Sequence, residues 1–197
     1  MSTRSPFALV ALALAACSGP KQWQAPAVLV ELYDIAQPNG IIELELERDG
    51  TLLEIEADVP LTALPRNVLE AAAKAFPGAR FTGAEREVQG DVRGWEVKFE
   101  LDGLGGEVVT DDAGNVRETE REVREADVPP AVLAASAAAV PDSALKSTEL
   151  VQRGTLRTYH VKRLRDGASY KIVLTPAGEV VRKVREARAE IEIPLAR

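Results

Sequence analysis

The side chains with the greatest capacity for chemistry in this sequence are carboxylates that recur at every second position. The two rows are Glu43, Glu45 and Glu47, and Glu118, Glu120 and Glu122. Alternate residues of a strand point to one face, so each row would line one face of a β-strand. Like charges side by side are unfavourable unless cations neutralise them. The nearby cations are Arg117, Arg121, Arg124, Arg182, Arg185 and Arg188. Two interpretations stay open: a solvated sheet face that carries many charged side chains, or a docking surface.

His160 is the only histidine, and it follows Tyr159 in an alternating segment, so the two side chains point to opposite faces. A catalytic or metal-binding histidine needs partners, and the sequence offers no second histidine and one cysteine, Cys17. The candidate nucleophiles Ser143, Ser147 and Ser169 do not stand in nucleophile-elbow sequences. We therefore predict that the protein is not an enzyme, that it has no catalytic residue, metal or cofactor, and that His160 is solvated or partly packed.

The acidic segment 111–115 has some features of a calcium-binding loop. Ala113 occupies a position that should carry a ligand, and Val116 stands where an EF-hand needs a glycine. Asp, Gly and Asn are also the residues that hairpin turns prefer, so we predict a turn in this segment.

Residues 1–16 have the features of a secretory signal, since Arg4 supplies a positive charge and an apolar stretch follows it. The apolar stretch is shorter than the about 20 residues that span a bilayer. The sequence Leu14-Ala15-Ala16-Cys17 is similar to a bacterial lipobox, in which the signal is cut before the cysteine and the cysteine is acylated. Cys17 is therefore the predicted lipidation site. The alternative is cleavage at an Ala-x-Ala site, which would release a secreted protein.

The residue after Cys17 is Ser18 rather than Asp, which resembles the outer-membrane sorting pattern of Gram-negative lipoproteins. We expect an anchored envelope protein on the periplasmic face of the outer membrane. The formal charge of −7 becomes −8 without the signal, because Arg4 is the only charged residue before Cys17. An acidic surface argues against nucleic-acid binding. The predicted partners are the lipid bilayer, through acylated Cys17, and an unknown exported protein.

The chain also contains a repeat with a period of 64 residues. Gly50, Gly114 and Gly178 follow this spacing. The same offset relates Pro65 to Pro129, Pro77 to Pro141, Gly90 to Gly154 and Asp102 to Asp166. Self-similarity at a fixed period indicates that one supersecondary unit was copied.

Each full unit is predicted to begin with a helix, at 65–76 and at 129–140. In the first, Val68, Ala72 and Phe76 line one face. Alternating segments at 95–101, 107–110, 158–164 and 170–174 predict strands separated by Asp-Gly turns. The segments 115–125 and 179–193 have a composition that favours helix. They match the stretch after the hairpin turn at Gly50, so we predict strands there.

The predicted fold class is α+β, with tandem units of a helix and an antiparallel sheet and with the helices on one face of the sheet. The predicted organisation is a signal peptide (1–16), a lipidated tether (17–27), an N-terminal half-repeat forming a β-hairpin (28–60), and two full repeats (61–128 and 129–197).

The repeats resemble the PepSY-like domains of bacterial exported proteins, which are related in fold to β-lactamase-inhibitor protein. The resemblance rests on the Pro-x-x-Val-Leu helix with its Phe-Pro-Gly-Ala end (65–79), on Glu85, Gly90 and Trp95-Glu96-Val97, and on the turns at 102–103 and 112–116. It covers about two-thirds of the chain. The second repeat departs from the pattern, since Arg163 and Arg165 break the apolar face that Phe99 and Leu101 keep. The resemblance implies a non-catalytic binding module, sometimes inhibitory, and supplies no catalytic residues.

The leading hypothesis is a lipid-anchored envelope module that docks or inhibits another exported protein. Its candidate binding face comprises Phe81, Tyr170, Glu118, Glu120 and Glu122. The alternative is an acidic envelope sensor or buffer for small ligands or cations.

Overall fold

The computed structural model of the protein describes residues 26–188. The helices are α1 (Ala27–Ile35), α2 (Arg66–Ala75) and α3 (Pro130–Ala139), with short 3₁₀ helices at Leu61–Ala63 and Glu125–Asp127. The strands are β1 (Ile42–Leu46), β2 (Leu52–Val59), β3 (Arg80–Gln89), β4 (Val92–Leu101), β5 (Leu104–Asp111), β6 (Val116–Glu122), β7 (Ala144–Arg153), β8 (Leu156–Arg165), β9 (Ala168–Leu174) and β10 (Val180–Arg185). The predicted signal peptide, Cys17 and most of the predicted tether lie outside the described residues.

The ten strands form one curled antiparallel sheet in which each strand pairs with its neighbours in chain order. The turns predicted at Asp-Gly are tight hairpins. Asp102 and Gly103 have φ values of 54° and 74°, and Asp166 and Gly167 have φ values of 51° and 77°. Two successive positive φ values are the geometry of a type I′ turn, whose twist matches that of the flanking strands. Each aspartate tolerates this conformation and each glycine adopts it freely.

Helices α2 and α3 begin and end within one residue of the predicted positions. Pro65 and Pro129 are the N-caps, where a missing N–H is harmless. Val68 and Ala72 of α2 are fully buried. Phe76, directly after α2, packs against the same apolar cluster as those two residues, so the predicted helix face is confirmed.

Helix α1 was not predicted, because the sequence analysis placed only a hairpin in 28–60. The hairpin is present as β1 and β2, but α1 precedes it. Leu29 and Leu32 are 1% and 0% exposed and pack against Ile55 of β2. A nine-residue helix is marginal on its own. Packing against the sheet therefore stabilises α1, and only the three-residue spacing of the two leucines signals it.

The three helices cover the same face of the sheet. Helix α1 contacts β2, α2 contacts β4 and β5, and α3 contacts β8, β9 and β10. Val59, Ala84, Val97 and Val108 are register partners on successive strands, and all four belong to the apolar cluster under α2. The prediction that the helices share one face is confirmed.

The bounds of the elements correspond at an offset of 64 residues. Helix α3 lies 64 residues after α2, as β7 does after β3 and β8 after β4. The strand predictions for 115–125 and 179–193 correspond to β6 and β10, both of which are shorter than predicted. Pairing in the sheet outweighs the helix propensity of their sequences. Strand β10 ends at Arg185, and residues 189–193 lie outside the described part of the chain.

Candidate functional site

The sheet face opposite the helices is concave. Side chains from the two edges of the sheet meet across it, since Arg182 of β10 and Lys171 of β9 both form ion pairs with Glu45 of β1. The Lys171 Nζ lies 3.6 Å from the Glu45 Oε2. We call this surface the concave face.

The middle of the concave face is shielded from water. In the two predicted carboxylate rows, Glu43 and Glu47 are exposed, whereas Glu45, Glu118, Glu120 and Glu122 are half-buried. Glu85, Glu87 and Glu96 are only 3%, 3% and 6% exposed. One reason is the lack of a side chain at Gly94, where a Cβ would lie 3.0 Å from Glu87 Oε2 and 3.2 Å from Arg117 Nη1. Arg117 of β6 can therefore reach Glu87 of β3, with Nη1 at 3.4 Å from Oε2.

Glutamates face each other directly across neighbouring strands of the concave face. The register pairs are Glu43–Glu56, Glu45–Glu54, Glu56–Glu87, Glu85–Glu96, Glu107–Glu120 and Glu122–Glu149. Burial, together with the neighbouring carboxylates, raises the pKa of Glu54 to about 8 and the pKa of Glu56 to about 9. The same causes raise the pKa of Glu96 well above its ordinary value. Like charges cannot stay ionised at such spacing without counter-ions, so this array holds protons or cations at neutral pH.

Charge is unevenly distributed over the concave face. Strands β1 to β6 carry most of the carboxylates, whereas β7 to β10 carry the bases Arg153, Lys162, Lys171 and Arg182. Within the carboxylate-rich part, Lys98 Nζ lies 2.7 Å from Glu85 Oε1. At the border of the two parts, Arg153 Nε donates a 2.7 Å hydrogen bond to Glu118.

His160 lies at this border, on the face opposite Tyr159 as predicted. It is the register partner of Glu149, and its Nδ1 lies 3.6 Å from Glu120 Oε1. Its side chain is 16% exposed. Burial, assisted by Lys171, Lys162 and Arg153, lowers the pKa of His160 to about 4. The imidazole is therefore neutral at pH 7.

A cavity of about 90 Å³ adjoins Glu120 and Glu149. Its other lining residues are Gly105, Gly106, Glu107 and Glu122. The Gly105 N–H donates a 3.0 Å hydrogen bond to Glu122 Oε2 and so fixes one carboxylate of the wall. Burial raises the pKa of Glu120 to about 9, with Glu107, Glu118 and Glu149 adding to the shift.

The structure separates the residues that were predicted to form one binding face. Phe81 and Tyr170 are half-buried on the helix side, where each packs against an apolar cluster. Glu118, Glu120 and Glu122 lie on the concave face and are partly shielded. The two aromatic residues and the carboxylate row therefore do not share a surface. Cys17 lies outside the described residues.

The acidic segment 111–115 forms the β5–β6 turn, as predicted. Asp111 accepts hydrogen bonds of 2.8 Å from both the backbone N–H and the side-chain amide of Asn115. Asp112 accepts from Arg86 and from Trp95 Nε1. The Arg86 guanidinium also lies 4.5 Å from the centre of the Trp95 ring, and its hydrogen bonds lower the pKa of Asp112.

A second surface feature lies at one end of the sheet, where the hairpins β1–β2, β3–β4, β5–β6, β7–β8 and β9–β10 turn. Each of these hairpins has an exposed apolar residue next to its turn. We call the set the apolar rim; it consists of Leu46, Val92, Val116, Leu156, Val180 and Val181, which are 43–62% exposed. Contiguous exposed apolar patches mark interaction sites, whereas single exposed apolar residues are common on any protein surface.

The grouping of Glu120, Glu149 and His160 was not predicted from the sequence, where only histidine or cysteine was considered as a partner of His160. The two carboxylates near His160 come from two other strands. Glu149 carries no local signal, because its place beside His160 depends on the register of β7 with β8.

No protein-family model and no curated protein sequence match this chain significantly. Similar folds occur among solved structures from Bacteroides. A protein from B. eggerthii, whose description places it provisionally in the periplasm, has a TM-score of 0.50 and 22% identity, and the match covers 61% of this chain and 88% of that one. A protein of the DUF2874 family from B. uniformis has a TM-score of 0.50 and 22% identity, with coverage of 62% and 89%. A protein from B. fragilis described as BLIP-like has a TM-score of 0.49 and 20% identity, with coverage of 66% and 93%.

At these identities the first two likenesses show the fold alone, a curled antiparallel sheet covered by helices on one side. None of the helices within residues 26–188 has the length and apolar composition that a membrane crossing requires.

Proposed function

We propose that this protein is a lipid-anchored, non-catalytic binding module of the bacterial envelope that docks another exported protein through the apolar rim. The observation that carries the proposal is the rim itself, because five hairpins each expose an apolar residue at the same end of the sheet. The predicted signal would export the chain and the predicted acylation of Cys17 would keep it in the envelope, so we expect its partner to be an exported protein.

The repeated unit supports the docking proposal. Two copied units in one continuous sheet would place similar hairpins side by side, and their turns would form a long, regular row at one end of the strands. The description of the B. eggerthii neighbour agrees with an envelope location. Shielding of the concave face leaves the rim as the more accessible surface for a protein partner.

Site-specific photo-crosslinking in intact cells tests the docking proposal. A photoreactive residue at Leu156 or Val181, both 62% exposed, is expected to give an adduct with one and the same exported protein. The matched control is a photoreactive residue at the exposed Lys74 of α2, which should give no such adduct. Leu156→Asp should reduce the adduct formed from position 181. Adducts of the chain only with itself would instead identify the rim as an interface between copies, and the absence of adducts would refute docking.

The anchor is tested separately. We expect Cys17 to incorporate labelled fatty acid and to hold the protein in the membrane fraction, because several acyl chains bind a bilayer durably. The Cys17→Ser variant should lose both properties. An unlabelled wild-type protein in the soluble periplasmic fraction would contradict lipidation while leaving docking intact.

A further inference from the structure

Three potential metal ligands converge on the concave face, one from each of three consecutive strands. Glu120 lies on β6, Glu149 on β7 and His160 on β8, and one ligand atom of each lies within 4.8 Å of the others. The pairing of these strands fixes the backbones, so only side-chain torsions need to adjust to a ligand.

The distances suit a small ion. Ligand atoms held about 2.0–2.2 Å from a tetrahedral zinc ion are about 3.3–3.6 Å apart. His160 Nδ1 and Glu120 Oε1 are 3.6 Å apart, which is too long for a hydrogen bond but matches two ligands of one ion. Glu149 is the direct register partner of His160 and needs to move by little.

The surroundings also favour the binding of an ion. The excess of carboxylates, with Glu107 directly opposite Glu120, is a repulsion that a divalent cation would relieve. The cavity of about 90 Å³ beside Glu120 and Glu149 has room for an ion with bound water, since one water occupies about 30 Å³.

We propose that Glu120, Glu149 and His160 bind one divalent first-row transition-metal ion of the zinc class, with a further coordination position open to the adjoining cavity. One imidazole nitrogen with carboxylate oxygens suits zinc-class ions, whereas calcium and magnesium prefer oxygen ligands alone. Lys162, whose Nζ lies 3.4 Å from Glu149 Oε1, moves aside when the ion binds. This inference goes beyond docking and does not depend on it.

A second carboxylate cluster provides an internal comparison. Glu56, Glu85 and Glu96 also place ligand atoms within 4.8 Å of one another. This cluster has no imidazole, and the ammonium of Lys98 at 2.7 Å from Glu85 already serves as its counter-ion. We therefore expect the ion to bind more tightly at the site with His160 than at this second cluster.

The experiment uses the full-length protein in detergent without a histidine tag, titrated with Zn²⁺ and with Co²⁺. His160 is the only histidine of the chain, so its imidazole ¹⁵N resonances report on this site alone. We expect one equivalent of Zn²⁺ to shift them, and Co²⁺ to give the visible absorption of a low-coordinate site. An excess of Ca²⁺ should not displace the Zn²⁺.

Three variants separate ligand loss from misfolding. Glu149→Gln keeps the size of the side chain, and His160→Asn keeps a polar side chain without the imidazole. Each should weaken Zn²⁺ binding at least about tenfold, an effect that even outer-sphere partners of a metal can have. Glu85→Gln, in the second cluster, should leave Zn²⁺ binding unchanged. Circular dichroism confirms that each variant is folded. An unshifted imidazole at saturating Zn²⁺, or binding that survives His160→Asn and is lost in Glu85→Gln, would overturn the proposal.

Discussion

The segment α2–β6 and the segment α3–β10 have the same order of elements at the same spacing, but they fill their cores with different chemistry. In the first, the rings of Phe76 and Phe99 pack with their centres 4.3 Å apart. Gly106 is the register partner of Phe99, and a Cβ at Gly106 would lie 2.9 Å from Phe99 Cε1. The glycine therefore makes room for the aromatic ring.

In the second segment, Arg163 stands at the position equivalent to Phe99 and is 9% exposed. Its hydrogen-bond acceptors among the described residues are Ser136 Oγ, Ser143 Oγ and the Ser143 carbonyl, at 2.7–3.2 Å. These serines replace Ala72 and Ala79 of the first segment. Tyr170 takes the place of Gly106 and pairs with Arg163.

The fold accommodates either an aromatic ring or a guanidinium at this core position, provided that the neighbouring residues change with it. A buried guanidinium needs acceptors, and the two serines supply them. A large aromatic ring needs a glycine opposite it. Both segments share one topology, but the side chains that fill the equivalent core position and its surroundings differ between them.

The largest effect is expected from Phe99→Ala in the aromatic core. Phe99 is 2% exposed, and its loss should cost about 3–5 kcal/mol because it leaves a cavity beside Phe76. Urea denaturation followed by circular dichroism measures the change. Leu156→Ala, at a position 62% exposed, should leave the free energy of unfolding nearly unchanged. Equal stability of both variants would show that the aromatic pair does not anchor this core.

A smaller effect is expected from Ser136→Ala, next to the buried Arg163. Ser136 is fully buried and accepts a 3.2 Å hydrogen bond from Arg163. Losing an acceptor of a buried charged group should cost about 1–3 kcal/mol, measured by the same denaturation. The reciprocal change Ala72→Ser adds a hydroxyl where no arginine needs it, so it should not stabilise the first segment. A fully stable Ser136→Ala would mean that Arg163 finds its acceptors elsewhere.

The strands of the concave face also differ in charge, because β1 to β6 carry most of the carboxylates whereas β7 to β10 carry the bases Arg153, Lys162, Lys171 and Arg182. Glu54 and Glu56 have pKa values of about 8 and 9 in the folded protein, mainly because they are buried. The folded state therefore binds more protons than the unfolded state between about pH 4.5 and pH 9. By linkage, the free energy of unfolding should fall as pH rises through this window.

A last prediction follows from that slope. Glu56→Gln removes one titrating group and should flatten the fall in stability between pH 5 and pH 9, so the variant should be more stable than the parent at pH 8. Denaturation curves at a series of pH values measure it. Glu70→Gln changes an exposed carboxylate on α2 and should leave the slope as it is. A parent protein that gains stability from pH 5 to pH 9 would contradict the raised pKa values.

Local patterns predicted much of the fold. The proline-capped helices, the Asp-Gly turns and the alternating strands were all visible in the sequence, and the 64-residue period resolved the ambiguous segments that became β6 and β10. Helix α1 was missed because nine residues with two buried leucines give a weak periodic signal. The residues that were predicted as one binding face lie on two sides of the sheet, since Phe81 and Tyr170 pack on the helix side while Glu118, Glu120 and Glu122 line the opposite side. That either set binds a partner stays a prediction.

The alternation of residues and the positions of the turns follow from the sequence, because they depend on residues close together along the chain, and the 64-residue recurrence is a property of the sequence itself. Only the tertiary structure decided that the charged face curls until Glu45 meets Arg182, and that Glu149 lies beside His160 and Glu120. Those relations depend on strand register and sheet curvature, which arise from contacts between residues far apart in sequence.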